Sequence, residues 1–116
     1  PFTVTISNAV AAPLFERGKT SLAEWKKIRN APAPWSELVG KQVTLSVPSS
    51  VVRTLGDPEA LMTYWDAVEE ACAKLYAVPD AKRVQQRYCV DRQISAGYMH
   101  SGYPIMTGDD VARAFV

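Results

Sequence analysis

Histidine occurs once in these 116 residues, at His100. A zinc centre with an open position for water needs about three protein ligands, so one imidazole and scattered carboxylates exclude such a centre built from this chain alone. Any Ser-His-Asp or Cys-His arrangement would also have to run through His100, and no residue is marked by its surroundings as the nucleophile. Cysteine occurs only at Cys72 and Cys89, too few for a disulfide scaffold or a cysteine metal site. Both read first as buried free thiols, with one disulfide between them left open in an oxidising compartment. No apolar run approaches the ~20 residues of a membrane helix, and no signal peptide is present. The chain opens on Pro1-Phe2-Thr3 without an initiator methionine, which leaves secretion open. The net charge is only +1, so no field draws the chain onto nucleic acid or an anionic membrane. The small basic clusters, Lys26-Lys27 with Arg29 and Lys82-Arg83, read as solvated surface. A Walker loop, a dinucleotide fingerprint, repeats and low-complexity tracts are all absent.

What remains is an ordinary globular composition, 47% hydrophobic and 22% charged, enough for a single domain or part of one. Phe2, Val4 and Ile6 alternate with Thr3, Thr5 and Ser7, which predicts a half-buried strand. A looser segment follows from Ala9 to Lys19. Ser21-Leu22-Ala23-Glu24 has capping-box spacing, and Leu22, Trp25 and Ile28 form a stripe, predicting a short helix that ends near Asn30. Ala31 to Gly40 reads as a proline-rich connection. Val43, Leu45 and Val47 predict a second strand stopping at Pro48, and Ser49 to Leu55 a helical turn. Asp57-Pro58 is a helix start. The spacing predicts the longest helix over 58–77, with Leu61, Trp65, Val68, Cys72 and Leu75 facing a core. Trp65 and Leu61 should lie against the strands of Phe2 to Ile6 and Val43 to Val47. Asp66, Glu69 and Glu70 read as a solvated helix face, with Glu70 pairing to Lys74. Trp25, Trp35 and Trp65 read as core or staple residues. Arg83 to Gln93 predicts a third strand, with Val84, Tyr88 and Val90 on one face, and Asp109 or Asp110 could cap a last helix from Val111. Strands and helices intermix, so the expected class is α+β, a small mixed sheet with a long helix packed on it.

The run from Ile94 to Pro104 is less ordinary. Gly97 and Gly102 bracket Tyr98, Met99, His100 and Ser101, and Tyr103 follows. Glycine in a strand pattern marks a bulge or the close approach of another backbone, while aromatic residues with polar tips suit the wall of a wet cleft. A tight turn around a packed histidine uses the same residue types, and both readings stand at this level.

From Val90 the chain reads Val90, Asp91, Arg92, Gln93, Ile94, Ser95, Ala96, Gly97, Tyr98, Met99, His100, Ser101, Gly102, Tyr103, Pro104. This closely resembles the enhancin-like zinc metallopeptidase family, which includes bacterial mucin-degrading proteases and vertebrate TRP-channel-associated factors. Weaker similarities lie at Ala33-Pro34-Trp35-Ser36-Glu37-Leu38, at Leu45-Ser46-Val47-Pro48-Ser49, and from Asp57-Pro58-Glu59 to Trp65-Asp66. The resemblance implies a gluzincin-like catalytic domain, with residues 1–116 as its amino-terminal part. It implies zinc in the intact domain, a zinc-activated water and a glutamate base, carried by a His-Glu-x-x-His helix that these residues do not contain. This chain alone should bind no zinc and hydrolyse no peptide. The resemblance also implies a substrate-cleft edge strand at Ala96, Gly97, Tyr98, Met99, His100, Ser101, Gly102 and Tyr103, which an extended peptide would pair with. The expected partners are a peptide or glycoprotein substrate such as a mucin and the remaining half of the catalytic domain, with no nucleic acid and no membrane span. The expected location is outside the cell or at its surface. A non-catalytic interaction module, of the channel-associated type and cytoplasmic, is the alternative.

Overall fold

The computed structural model describes residues 2–94 and 97–116. Six strands form one mixed sheet: β1 (Leu14–Glu16), β2 (Trp35–Val39), β3 (Val43–Pro48), β4 (Gln86–Asp91), β5 (Met99–His100) and β6 (Ile105–Gly108). Their order across the sheet is β1-β2-β3-β4-β6-β5. Helix α1 (Leu22–Ile28) follows β1, α2 (Ser49–Val52) follows β3, and α3 (Pro58–Leu75) precedes β4. A 3-10 helix, Asp109–Ala114, follows β6. The α+β expectation holds, with the long helix packed against β2 and β3.

The register separates two faces. Phe15, Leu38, Leu45, Tyr88 and Ile105 stand opposite one another along one row. Directly opposed residues share a face, and this face is the core. Trp25 of α1 lies edge-on to Phe15 with ring centres 5.8 Å apart. Trp65 of α3 lies 5.6 Å from Tyr88 and 5.5 Å from Phe115. The next row, Leu14, Glu37, Ser46, Cys89, Met106 and His100, spans all six strands on the opposite face.

Local signals placed the helix starts well. Ser21 accepts from the Glu24 amide and the Glu24 carboxylate accepts from the Ser21 amide, closing the capping box. The Ser21 hydroxyl holds the Glu24 carboxyl below the usual range. Asp57 accepts from the Ala60 amide at 2.9 Å, with Pro58 in the first turn.

Other expectations are corrected. Residues 2–7 form no strand: Phe2, Val4 and Ile6 are exposed and unpaired. The stretch read as a proline-rich connection contains β2, whose Leu38 and Ser36 are buried. The α3 stripe is displaced. Its buried residues are Pro58, Met62 and Asp66, while Leu61 and Trp65 are half-buried and Leu75 is 82% exposed. Trp65 packs on β4 and the last residues of the chain, not on residues 2–6, and its indole N–H donates to the Phe115 carbonyl at 3.0 Å. Trp35 and Val84 are exposed. Arg83 is not solvated surface, since it pairs with Glu70 and Asp80. Cys72 and Cys89 are both free and half-buried rather than buried.

Candidate functional site

The acidic residues of α3 do not form a solvated face. Asp66 is only 7% exposed. Its Oδ1 accepts from the Gln42 amide at 2.7 Å, and its Oδ2 accepts from the Lys41 amide at 2.9 Å and from Arg17 at 2.7 Å. Burial alone would raise this carboxyl; the two amides and the guanidinium outweigh it and hold the group below the usual carboxylate range. Glu59 completes the enclosure by accepting from Arg17 Nε and the Gly18 amide. The β2–β3 turn is therefore clamped onto α3. Three residues on, Glu69 accepts from the Tyr88 hydroxyl at 2.7 Å. Burial first, and that bond second, push the phenol well above its ordinary value. Glu70 pairs with Lys74 and Arg83, and is held below the usual range, chiefly by Lys74. Every one of these carboxylates is engaged within the chain, so none is free for acid–base work.

The opposite sheet face carries a second polar group. Arg87 donates to both Glu37 oxygens at 2.7 Å and to the Ser46 hydroxyl at 2.8 Å, and Ser46 donates to Glu37 at 2.6 Å. The Glu37 carboxylate raises the already high value of the Arg87 guanidinium. Thus β2, β3 and β4 are tied on this face as the apolar rows tie them on the other.

The run singled out in the sequence lies at the far edge. Met99–His100 forms β5, which pairs antiparallel with β6 through Met99 opposite Thr107 and His100 opposite Met106. Among the described residues the outer side of β5 is a free sheet edge. Tyr98, Met99, His100, Ser101 and Tyr103 are all exposed, Tyr98 and Tyr103 by 67% and 66%. The packed-histidine alternative is thereby set aside. Gly97 has φ +78° and Gly102 φ +119°, a region that favours glycine. Among the described residues, chain neighbours apart, no atom lies within 4 Å of the position a Cβ would take at either. Conformation, not lack of room within this chain, therefore accounts for glycine here. The Thr107 hydroxyl donates to the Tyr98 carbonyl at 3.1 Å and holds the approach to β5. The extended segment is shorter than expected, two residues of strand between glycine turns, and Ala96 lies outside the described residues. A shallow depression beside β5 brings His100, Tyr103 and Met106 together with Asp91 and Gln93.

A separate groove of about 430 Å³ was missed from the sequence. Glu69, Cys72, Ala73 and Tyr76 of the α3 end line one wall, and Tyr88, Gln86 and Ile105 its floor. Of these wall residues only Cys72 was read as core, and Glu69 was read as solvated surface. Among the described residues no three His, Cys, Asp or Glu side chains come together as metal ligands. His100 stands alone at the edge, so the residues present do not fit a zinc ion.

The chain is thus an α+β sheet with one clamped end and, among the described residues, one bare edge. The family model described as Peptidase M60, enhancin and enhancin-like matches residues 8–113, and the chain belongs to that family. A TRPM8 channel-associated factor homolog of Xenopus laevis is 48% identical over 104 residues, covering 89% of this chain. TRPM8 channel-associated factor 2 of Bos taurus is 49% identical over 107 residues, covering 91%. The chain spans 12% of the length of each. Among solved structures, a functionally unknown conserved protein from Bacillus anthracis str. Ames superposes with a TM-score of 0.75 at 20% identity, over 89% of this chain and 24% of that one. That likeness shows the fold alone.

Proposed function

We propose that residues 1–116 are the amino-terminal part of a zinc metallopeptidase catalytic domain, supplying its scaffold and the edge strand of its substrate cleft. The observation that carries this reading is β5, an open strand edge flanked by exposed Tyr98, His100 and Tyr103 in a member of a peptidase family. A peptide laid along β5 would gain main-chain hydrogen bonds, and alternate side chains would select it. Gly97, Tyr98, Met99, His100, Ser101, Gly102 and Tyr103, with Ala96 before them, are the proposed substrate contacts. Tyrosine tips and the imidazole suit a polar, glycosylated chain such as a mucin, reached outside the cell or at its surface. Zinc, when held by the intact domain, supplies a Lewis acid and an activated water; the residues of this chain bind and orient the substrate only. The groove beside Tyr88 and Tyr76 is the proposed seat of the remaining half of the domain, since its apolar walls would otherwise stay wet.

The test uses the natural polypeptide that contains these residues. Chelation should abolish cleavage of glycosylated peptides. The double change Tyr98→Ala with His100→Ala should lower kcat/KM by about tenfold or more, a loss of about 1.4 kcal/mol in transition-state binding, at unchanged Tm. An unchanged kcat/KM would overturn the cleft assignment, and absence of any chelator-sensitive cleavage would overturn the peptidase reading. The names of the relatives support association with a TRP-type channel, which suits a second reading, a non-catalytic cytoplasmic interaction module. Direct binding to such a channel by a polypeptide without peptidase activity would support it.

A further inference from the structure

Residues 2–7 have the pattern of a strand and none of its bonds. Phe2, Val4 and Ile6 point their apolar side chains into solvent, 90%, 68% and 79% exposed. Threonine or serine occupies each position between. Such alternation suits a sheet with one dry and one wet face. Among the described residues no backbone hydrogen bond joins residues 2–7 to the body. No charged residue occurs before Glu16, although exposed strands are ordinarily guarded by charge.

Two independent boundaries coincide where this arm begins. Asn8 has φ +59°, a left-handed conformation that asparagine tolerates at sharp changes of direction. The family match also starts at residue 8. Beyond Asn8 the chain is held firmly: the Ala11 carbonyl accepts from the Ala33 amide and the Pro13 carbonyl from the Glu37 amide, both at 3.0 Å.

We propose that residues 2–7 are an edge strand of a β-sheet in a second folding unit of the same polypeptide. The relatives are long enough to hold such a unit, since this chain spans 12% of their length. The partner sheet has an open edge and an apolar face that takes Phe2, Val4 and Ile6.

Amide hydrogen exchange tests this directly. In the 116-residue chain the amides of residues 3–7 should exchange at random-coil rates, and removal of residues 1–7 should move Tm by less than about 2 °C. In the natural polypeptide the same amides should slow by on the order of 100-fold. Val4→Asp should abolish that protection there, while leaving Tm of the 116-residue chain unchanged. Random-coil exchange in the natural polypeptide would overturn the proposal. So would protection that appears in the 116-residue chain as its concentration rises, because the arm would then pair between copies.

Discussion

The clamped turn between β2 and β3 and the bare edge at β5 lie toward opposite sides of one sheet, and they use their polar groups in opposite ways. At the turn, the Arg17 guanidinium and the Lys41 and Gln42 amides all donate to the Asp66 oxygens. At the edge, Tyr98, His100 and Tyr103 are exposed. Polar groups satisfied internally serve the fold, because leaving any of them unpaired when buried costs about 1–3 kcal/mol. Polar groups held out on a fixed backbone contribute little to folding and stay available to a partner.

Changes at the buried side should be severe. Trp25 is fully buried, and its indole donates to the Leu55 carbonyl at 2.9 Å. Trp25→Ala should lower stability by about 3–5 kcal/mol in denaturant unfolding; a loss below ~1 kcal/mol would break the contrast. The glycines sharpen it next. A Cβ at Gly40 would sit 2.5 Å from Asp66 Oδ1, an atom that the Gln42 amide holds in place. Gly40→Ala should cost about 2–3 kcal/mol through overpacking. Gly97→Ala meets no atom within 4 Å and should cost only the left-handed backbone term, about 1–2 kcal/mol. Equal losses at the two positions would show that the turn is not as tightly closed as its hydrogen bonds imply.

Acid should act on the clamped turn. The folded-state value of Asp66 lies below its unfolded value, so its stabilising contribution is full above the ordinary carboxylate range, near ~4. That contribution is lost as pH falls through the depressed folded value. Asp66→Asn should therefore be less stable than the wild type at pH 6 and should lose less on acidification to pH 3. Parallel stability–pH curves for the two proteins would exclude this role. The smallest effect belongs to the edge: Tyr98→Ala and His100→Ala should each change unfolding free energy by less than ~0.5 kcal/mol.

Much of this was legible in the sequence where the determinants are local. Ser21 with Glu24, and Asp57 with Pro58, fixed two helix starts because capping needs only neighbours along the chain. The Val43–Pro48 strand was equally clear from its alternation. Long-range pairing was not legible. Asp66 looked like a surface acid because its partners, Arg17 and the 41–42 amides, lie 49 and about 25 residues away. Strand β2 was hidden by the prolines before Trp35, and its pairing with β3 and β1 decides its state. Residues 2–7 failed in the other direction, since their alternating pattern finds no strand neighbour among the described residues. The edge position of Met99 and His100 came from resemblance to a family motif. The α3 groove escaped because a helical stripe does not say whether its core is present.

β5 is two residues long and, among the described residues, is bonded only to β6. Its opening breaks one short pairing and disturbs neither the Trp25 cluster nor the Asp66 clamp. Such sub-global opening runs on a microsecond-to-second timescale, far ahead of global unfolding. The edge therefore keeps its own clock. A ligand that adds a strand to it would lengthen the time it stays closed, and its rate of capture would follow how often the short strand is formed.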